Sequence, residues 1–315
     1  MKNLYIVIFF SVMPSFLVAQ NGEVNSSVLR KDTQNKEKVI TGKSLERNKI
    51  QYKNGDVYEG EFVKGKRQGE GTYIFSDGEK YSGQWFQDQQ HGRGVFTFKN
   101  GNVYDGLWYK DYQQGHGIMR YYNGDVYDGE WVMDKRNGIG RYTFANGAYY
   151  DGMWKNDVKN GHGRFVWKDG TAYVGDWNNN MKEGKGIYIY RGGEEYNGDW
   201  KNDLRNGKGV YKFSNGDVYE GDYLDDERTG QGKLHYKNGE HYTGRFLKGL
   251  RSGTGTMAWK NGDVYVGNWE NGLQSGQGKL TKKNKDIIEG QFRNGYMDGQ
   301  IIIHYADGSK FRGMY

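Results

Sequence analysis

The chain has 315 residues, 51 of them glycine, one proline and none cysteine, with 27% charged residues and a formal net charge of +6. The lack of cysteine excludes a disulfide scaffold and any cysteine-ligated metal. Near-absence of proline and of a three-residue glycine period excludes collagen, and 27 Tyr, 14 Phe and 9 Trp are too many large side chains for a chain that buries nothing.

In chain order, Lys2 precedes an apolar run from Leu4 to Val18, and Leu17-Val18-Ala19 stands before Gln20. This is the pattern of a secretory leader over residues 1–19. The run is interrupted by Ser11, Pro14 and Ser15 and falls short of the ~20 residues that span a bilayer. Cleavage is therefore favoured over retention as an anchor, and the expected destination is periplasmic, secreted or cell-surface. Residues 20–50 carry Arg30, Lys31, Lys36, Lys38, Lys43, Arg47 and Lys49 among Asp32, Glu37 and Glu46 and hold no aromatic residue. They read as a flexible polar tether. The charge balance of the remainder is too even to call for nucleic acid.

From residue 51 onward the chain is a 23-residue repeat. Tyr58, Tyr81, Tyr104, Tyr127, Tyr150, Tyr173, Tyr196, Tyr219, Tyr242 and Tyr265, then Ile288 and Phe311, recur at that spacing without insertion or deletion. Two residues on, all twelve copies have glycine; four residues on, all twelve have a ring, including Trp85, Trp108, Trp131, Trp154, Trp177, Trp200 and Trp269. Further glycine columns stand three residues before the tyrosine and eleven and thirteen after it. Val57–Phe62 alternates ring or glycine with polar residues, as a half-buried strand does. A second strand is expected after the Gly-x-Gly step, with apolar residues at Tyr73 and Phe75 or Phe96 and Phe98. Asn-Gly and Asp-Gly pairs between hairpins predict tight type I′ turns, while Lys64–Gly69 predicts a longer loop. The column Gly65, Asp88, Asp111, Asp134, Asp157, Asn180, Asp203 and Asp226 predicts one left-handed backbone state. Glycine between rings predicts a slot that a ring from the adjacent strand fills. The Trp column is thus expected in the core; an exposed sugar-stacking ladder is the alternative.

The pattern Tyr-x-Gly-x-Trp-x-x-Gly-x-x-x-Gly-x-Gly resembles the MORN (membrane occupation and recognition nexus) repeat family over residues 51–315. The resemblance implies an all-β, elongated, twisted antiparallel sheet of about twelve 23-residue hairpins, serving as a scaffold and sometimes at membranes. Two departures stand out: the mid-motif glycine is mostly Asp, and the last copies degrade, with Ile288 for tyrosine, Lys285 for the turn glycine and Ile301 for the second glycine of the pair.

No catalytic constellation emerges. The Gly-x-Gly steps lack a phosphate-loop context, the six histidines lack metal-ligand spacing, and the Asp column is too widely spaced for one calcium ion. No cofactor and no metal are expected. Arg67, Arg136, Lys159, Lys182, Arg205, Arg228 and Arg251 recur nine residues after the repeat tyrosine and read as a basic edge on the longer loops. That edge is either solvated, discouraging sheet-to-sheet association, or a binding rail for anionic surfaces. Acidic residues one position after the tyrosine, such as Glu59, Asp105 and Asp128, are expected on the face opposite the rings. The expected function is a non-enzymatic exported scaffold binding protein through repeated weak sites. Peripheral binding of anionic lipid or glycan is the alternative, an enzyme hidden in a groove the remote third. Self-association through the terminal strands is the further expectation.

Overall fold

The computed structural model describes residues 45–315; the leader and the tether up to residue 44 lie outside the described residues. The described chain is one sheet of 24 strands, from β1 (Glu46–Gln51), β2 (Val57–Val63), β3 (Lys66–Ile74) and β4 (Lys80–Phe86) through to β22 (Ile287–Arg293), β23 (Tyr296–His304) and β24 (Lys310–Met314). Each strand pairs antiparallel with its sequence neighbours. The sheet is therefore an open meander of eleven hairpins, β2–β3 to β22–β23, between single terminal strands.

The sheet begins earlier than the tether reading allows. Strand β1 pairs Ile50 with Tyr58, and Tyr52 stacks on Tyr73 with ring centroids 5.8 Å apart. Ile50 and Tyr52 stand 23 residues before Tyr73 and Phe75, so this stretch is the second half of a copy whose first half is missing. Asn48 takes the place of its glycine, which is why the composition there reads as polar linker.

The two turns exchange the roles the sequence suggests. The connection expected to be long is a two-residue type I′ turn: Val63 pairs with Lys66, and Lys64 and Gly65 have φ of 51° and 75°. Strand β3 thus contains the Gly-x-Gly step instead of following it. The Asp column behaves as expected, with φ of 74° at Asp88, 69° at Asp157 and 70° at Asn180. At the Asn-Gly connection only Gly55 is left-handed, at φ 93°. Its N–H donates to the Tyr52 carbonyl at 3.0 Å, and the Tyr52 N–H donates to the Asp56 carbonyl at 2.9 Å. This is the three-residue loop in which a type I turn precedes a left-handed glycine. Asn54 serves it through its side chain, accepting from the Asp56 N–H at 3.2 Å.

One face of the sheet carries the core. Along β2 the burial alternates strictly, with Tyr58, Gly60 and Phe62 inward. Gly60 and Gly71 are cross-strand partners, and a Cβ on either would collide with the Tyr58 hydroxyl. The slot is therefore filled by the tyrosine of the same strand, two residues earlier, rather than by a ring from the adjacent one. That hydroxyl donates to the Glu61 carbonyl at 3.2 Å. On its other side comes Trp85, whose Nε1–H donates to the Gly71 carbonyl at 3.1 Å.

Tyr58 meets Phe62 edge-on at 5.0 Å and Trp85 edge-on at 5.4 Å; Tyr81 does the same with Trp85 and Trp108. The edge-to-face chain runs on to Phe292. Each such contact contributes about 0.5–1.5 kcal/mol beyond its buried area. The degraded end supports this account: where Ile288 replaces the tyrosine, Ile301 replaces the glycine and is itself fully buried.

Candidate interaction surface

The seven basic residues lie on strands, on the ring face, and not in solvated loops. Arg67 is the cross-strand partner of Phe62, one residue beyond the Val63–Lys66 pair that closes the turn. Its guanidinium lies 4.2 Å from the Trp85 ring and 4.9 Å from Tyr73, donating to the Asp88 carbonyl oxygen at 2.6 Å. The corresponding distances to the ring of the following repeat are 4.5 Å for Arg136 over Trp154, 4.0 Å for Lys159 over Trp177, 4.3 Å for Lys182 over Trp200, 5.3 Å for Arg205 over Tyr223, 5.8 Å for Arg228 over Phe246 and 4.4 Å for Arg251 over Trp269. The side chains of Arg67, Arg136 and Arg205 are only 20%, 19% and 21% exposed.

The turn aspartates complete these clamps. Asp157 Oδ1 accepts from both the Arg136 backbone N–H and its Nε–H at 3.0 Å; Asp226 treats Arg205 alike at 2.9 and 2.8 Å. Each basic residue thus fastens its own repeat to the next. At Arg67, Arg136 and Arg205 the charge is half-buried between rings and a turn carboxylate, while Arg228 and Arg251 donate to the carbonyls of Gly249 and Gly272 instead. A cation–π contact of this kind contributes about 0.5–2 kcal/mol. Burial has a cost for the lysines: desolvation, with a smaller contribution from Lys182, holds Lys159 down to about 8, and desolvation also lowers Lys182.

Between Arg67 and Arg251 two positions break the row. Gln90 and Gln113 stand where Arg67 and Arg136 stand in the flanking repeats, and the rings and turn aspartates that receive the cation elsewhere are still present as Trp108 with Asp111 and Trp131 with Asp134. Asp111 and Asp134 still accept from the Gln90 and Gln113 backbone N–H groups at 2.7 and 2.8 Å. A cavity of about 460 Å³ opens there, lined by both glutamines, their tryptophans, Phe96, Met119 and three turn aspartates. The sequence signal was the gap in the basic column, which is invisible until the column's contacts are known.

The opposite face is polar at the position after the tyrosine, where Glu59, Asp105, Asp128, Asp151 and Glu220 are exposed. His116 and His162 meet Asp128 and Asp176 there at 2.9 and 3.2 Å. Apolar residues interrupt it, among them Ile139, paired with Met153 and 70% exposed. The seven tryptophans of the column, Trp85 to Trp200 and Trp269, are 3–7% exposed and present no free ring face to a sugar. Among the described residues no three His, Cys, Asp or Glu side chains cluster as metal ligands.

The MORN repeat profile matches the chain eleven times, at residues 58–80 and in unbroken 23-residue steps to 287, then at 289–310. The chain belongs to the MORN repeat family. The eleven matches coincide with the eleven hairpins, and the twelfth copy read from the sequence is the lone strand β24. Among solved structures, this MORN array is similar to a single-substitution variant of the TCP10 domain of Danio rerio CPAP, at 12% identity over 78% of this chain and 99% of that one, with a TM-score of 0.26. It is also similar to the SAS-4 TCP domain of Drosophila melanogaster in complex with a proline-rich motif of Ana2, at 12% identity over 85% and 90% of the two chains and a TM-score of 0.22. At such scores the likeness carries no argument about function. No curated protein sequence matches the chain.

Proposed function

We propose that this MORN array is a non-enzymatic scaffold that holds a protein partner along its length through many weak, repeated contacts. The observation that carries this reading is the recurrence of one surface unit in eleven uninterrupted hairpins. A partner that fits one unit meets the next in the same orientation, and linked weak contacts add through effective concentration. The leader pattern over residues 1–19 belongs to the same reading and has the scaffold acting outside the cytoplasm. The competing reading, anionic lipid or glycan held by the basic row, is less favoured because the arginines that would serve it are committed to rings and to the turn residues of the next repeat within the sheet.

The test is affinity capture of cross-linked protein from the native exported fraction, followed by binding of the recovered partner to arrays shortened one hairpin at a time. Affinity should fall stepwise with each hairpin removed. Recovery of no protein, together with liposome or glycan binding, would show that the scaffold reading is wrong.

A further inference from the structure

We propose that the cavity at Gln90 and Gln113 is a cation-accepting notch that takes an extended, dibasic segment of a protein partner. The proposal rests on the scaffold reading and names what the scaffold grips at one place. In the flanking repeats the same position is filled from within: Arg67 lies 4.2 Å from Trp85 with Asp88 beside it, and Arg136 lies 4.5 Å from Trp154 with Asp157 at 3.0 Å. These clamps show what the site binds when complete, a guanidinium between an indole and a turn carboxylate. At Gln90 and Gln113 the receiving groups remain and the cation is gone.

Several observations distinguish the notch from a simple gap. Among the described residues Asp111 and Asp134 have no cationic partner, so the cavity holds three turn carboxylates against the single guanidinium of Arg136, already paired with Asp157. Gln90 and Gln113 are only 7% and 4% exposed. They line the cavity with side-chain amides that make no hydrogen bond among the described residues; only their backbone N–H groups are engaged with Asp111 and Asp134. The third glutamine of the column, Gln274, forms no such site, because Phe292 and Gly295 stand where tryptophan and aspartate would be. The notch is thus confined to two adjacent repeats of a chain that is basic overall.

Spacing names the occupant. Neighbouring repeats are two strands apart, roughly 9.6 Å at ~4.8 Å per strand. A polyproline-II segment advances ~3.1 Å per residue with three residues per turn, so basic residues at i and i+3 project on one side about 9.3 Å apart. Such a segment running along the array sets one cation beside Asp111 and the next beside Asp134, each reaching Trp108 or Trp131 as the buried Gln90 or Gln113 side chain swings aside. A β-conformation would point those two side chains in opposite directions.

The experiment titrates the full chain with a capped, soluble dodecapeptide of Gly, Ser and Pro bearing two arginines three residues apart, read by calorimetry and tryptophan fluorescence. Binding should be at least tenfold tighter than to the same peptide with citrulline for arginine, or with the arginines two apart, and should weaken with salt. Gln90→Arg with Gln113→Arg fills both positions from within, as Arg67 and Arg136 do, and should abolish binding while thermal stability is kept or raised. Asp111→Asn with Asp134→Asn is the second variant; Asn180 already holds this turn position, accepting from the Lys159 N–H at 2.8 Å, so the fold is retained and affinity should drop tenfold or more. Equal affinity for the citrulline peptide, or unchanged binding by the arginine-filled variant, overturns the proposal. So does failure of the full chain to bind, the outcome expected were the notch closed by its own N-terminal segment or by a second copy. A partner captured equally well by the wild type and by the arginine-filled variant would leave the scaffold reading standing and remove the notch.

Discussion

Every hairpin from β2–β3 up to the last, where Ile288 and Ile301 take over, turns on one tyrosine laid over two glycines. Trp154, 7% exposed, bonds the Gly140 carbonyl at 2.9 Å and is met edge-on by Tyr127 and Tyr150. Trp154→Ala should therefore destabilise the array by ~3–5 kcal/mol in chemical denaturation. The glycine slot predicts coupling as well. Gly163→Ile should collapse the local packing because its Cβ collides with the Tyr150 ring, whereas adding Tyr150→Ile should recover much of the loss, as Ile288 with Ile301 does naturally. A double-mutant cycle by denaturant unfolding measures this, and additive losses would refute the slot.

Titration follows from the same burial. Lys159 gives up its proton near pH 8 in the folded chain against 10.5 as its ordinary value. Between those values the unfolded state binds more protons, so stability rises with pH; below about 8 the whole cost of the buried charge is present. The tyrosines act oppositely. Burial pushes Tyr58, Tyr242 and Tyr265 up from 10.0 to about 12, so from pH 10 upward the folded state binds more protons and stability falls. Unfolding free energy should peak between pH 8 and 10 and then drop steeply, with tyrosinate absorbance appearing together with unfolding. Lys159→Met should flatten the rise without altering the fall.

At the scale of the hairpin, the type I′ turn and the clamp are one device. Asp157 occupies a left-handed position at φ 69° and also bonds Arg136, two tasks for one short side chain. Asp157→Ala loses both and should cost about 1–3 kcal/mol. Asp157→Gly keeps the backbone state and loses only the carboxylate, as at Gly249, where Arg228 still donates to the carbonyl at 2.9 Å. It should cost measurably less than the alanine. Equal losses in thermal unfolding would mean that the backbone state contributes nothing.

For the whole molecule, sequential pairing makes stability a sum of nearest-neighbour terms. Twenty-four strands at ~4.8 Å amount to a ribbon on the order of 110 Å along its contour. Small-angle scattering of residues 45–315 should return a radius of gyration well above the roughly 20 Å of a compact domain of about that length; a value near 20 Å would mean that the sheet folds back on itself. Among the described residues the edges at β1 and β24 carry unpaired backbone groups. Concentration-dependent scattering would reveal association through them.

The repeat, the ring core and the left-handed Asp column were legible in the amino-acid sequence because each is a local pattern written again in every copy. Alternation at period two shows which side chains share a face, and a column restricted to Gly, Asp and Asn shows a backbone state. The contacts between copies were not legible. Arg67 meets a ring 18 residues ahead and a carboxylate 21 ahead, and a basic column has the same spelling whether it is solvated or folded onto the sheet. Nor could composition tell which turn was tight, since Asn-Gly suits both a type I′ turn and the loop in which asparagine caps with its side chain. Only tertiary structure, by bringing indole, guanidinium and aspartate of successive hairpins together, decided that the basic row is a fastening. By the same contacts it turned the two glutamines that interrupt the row into a site.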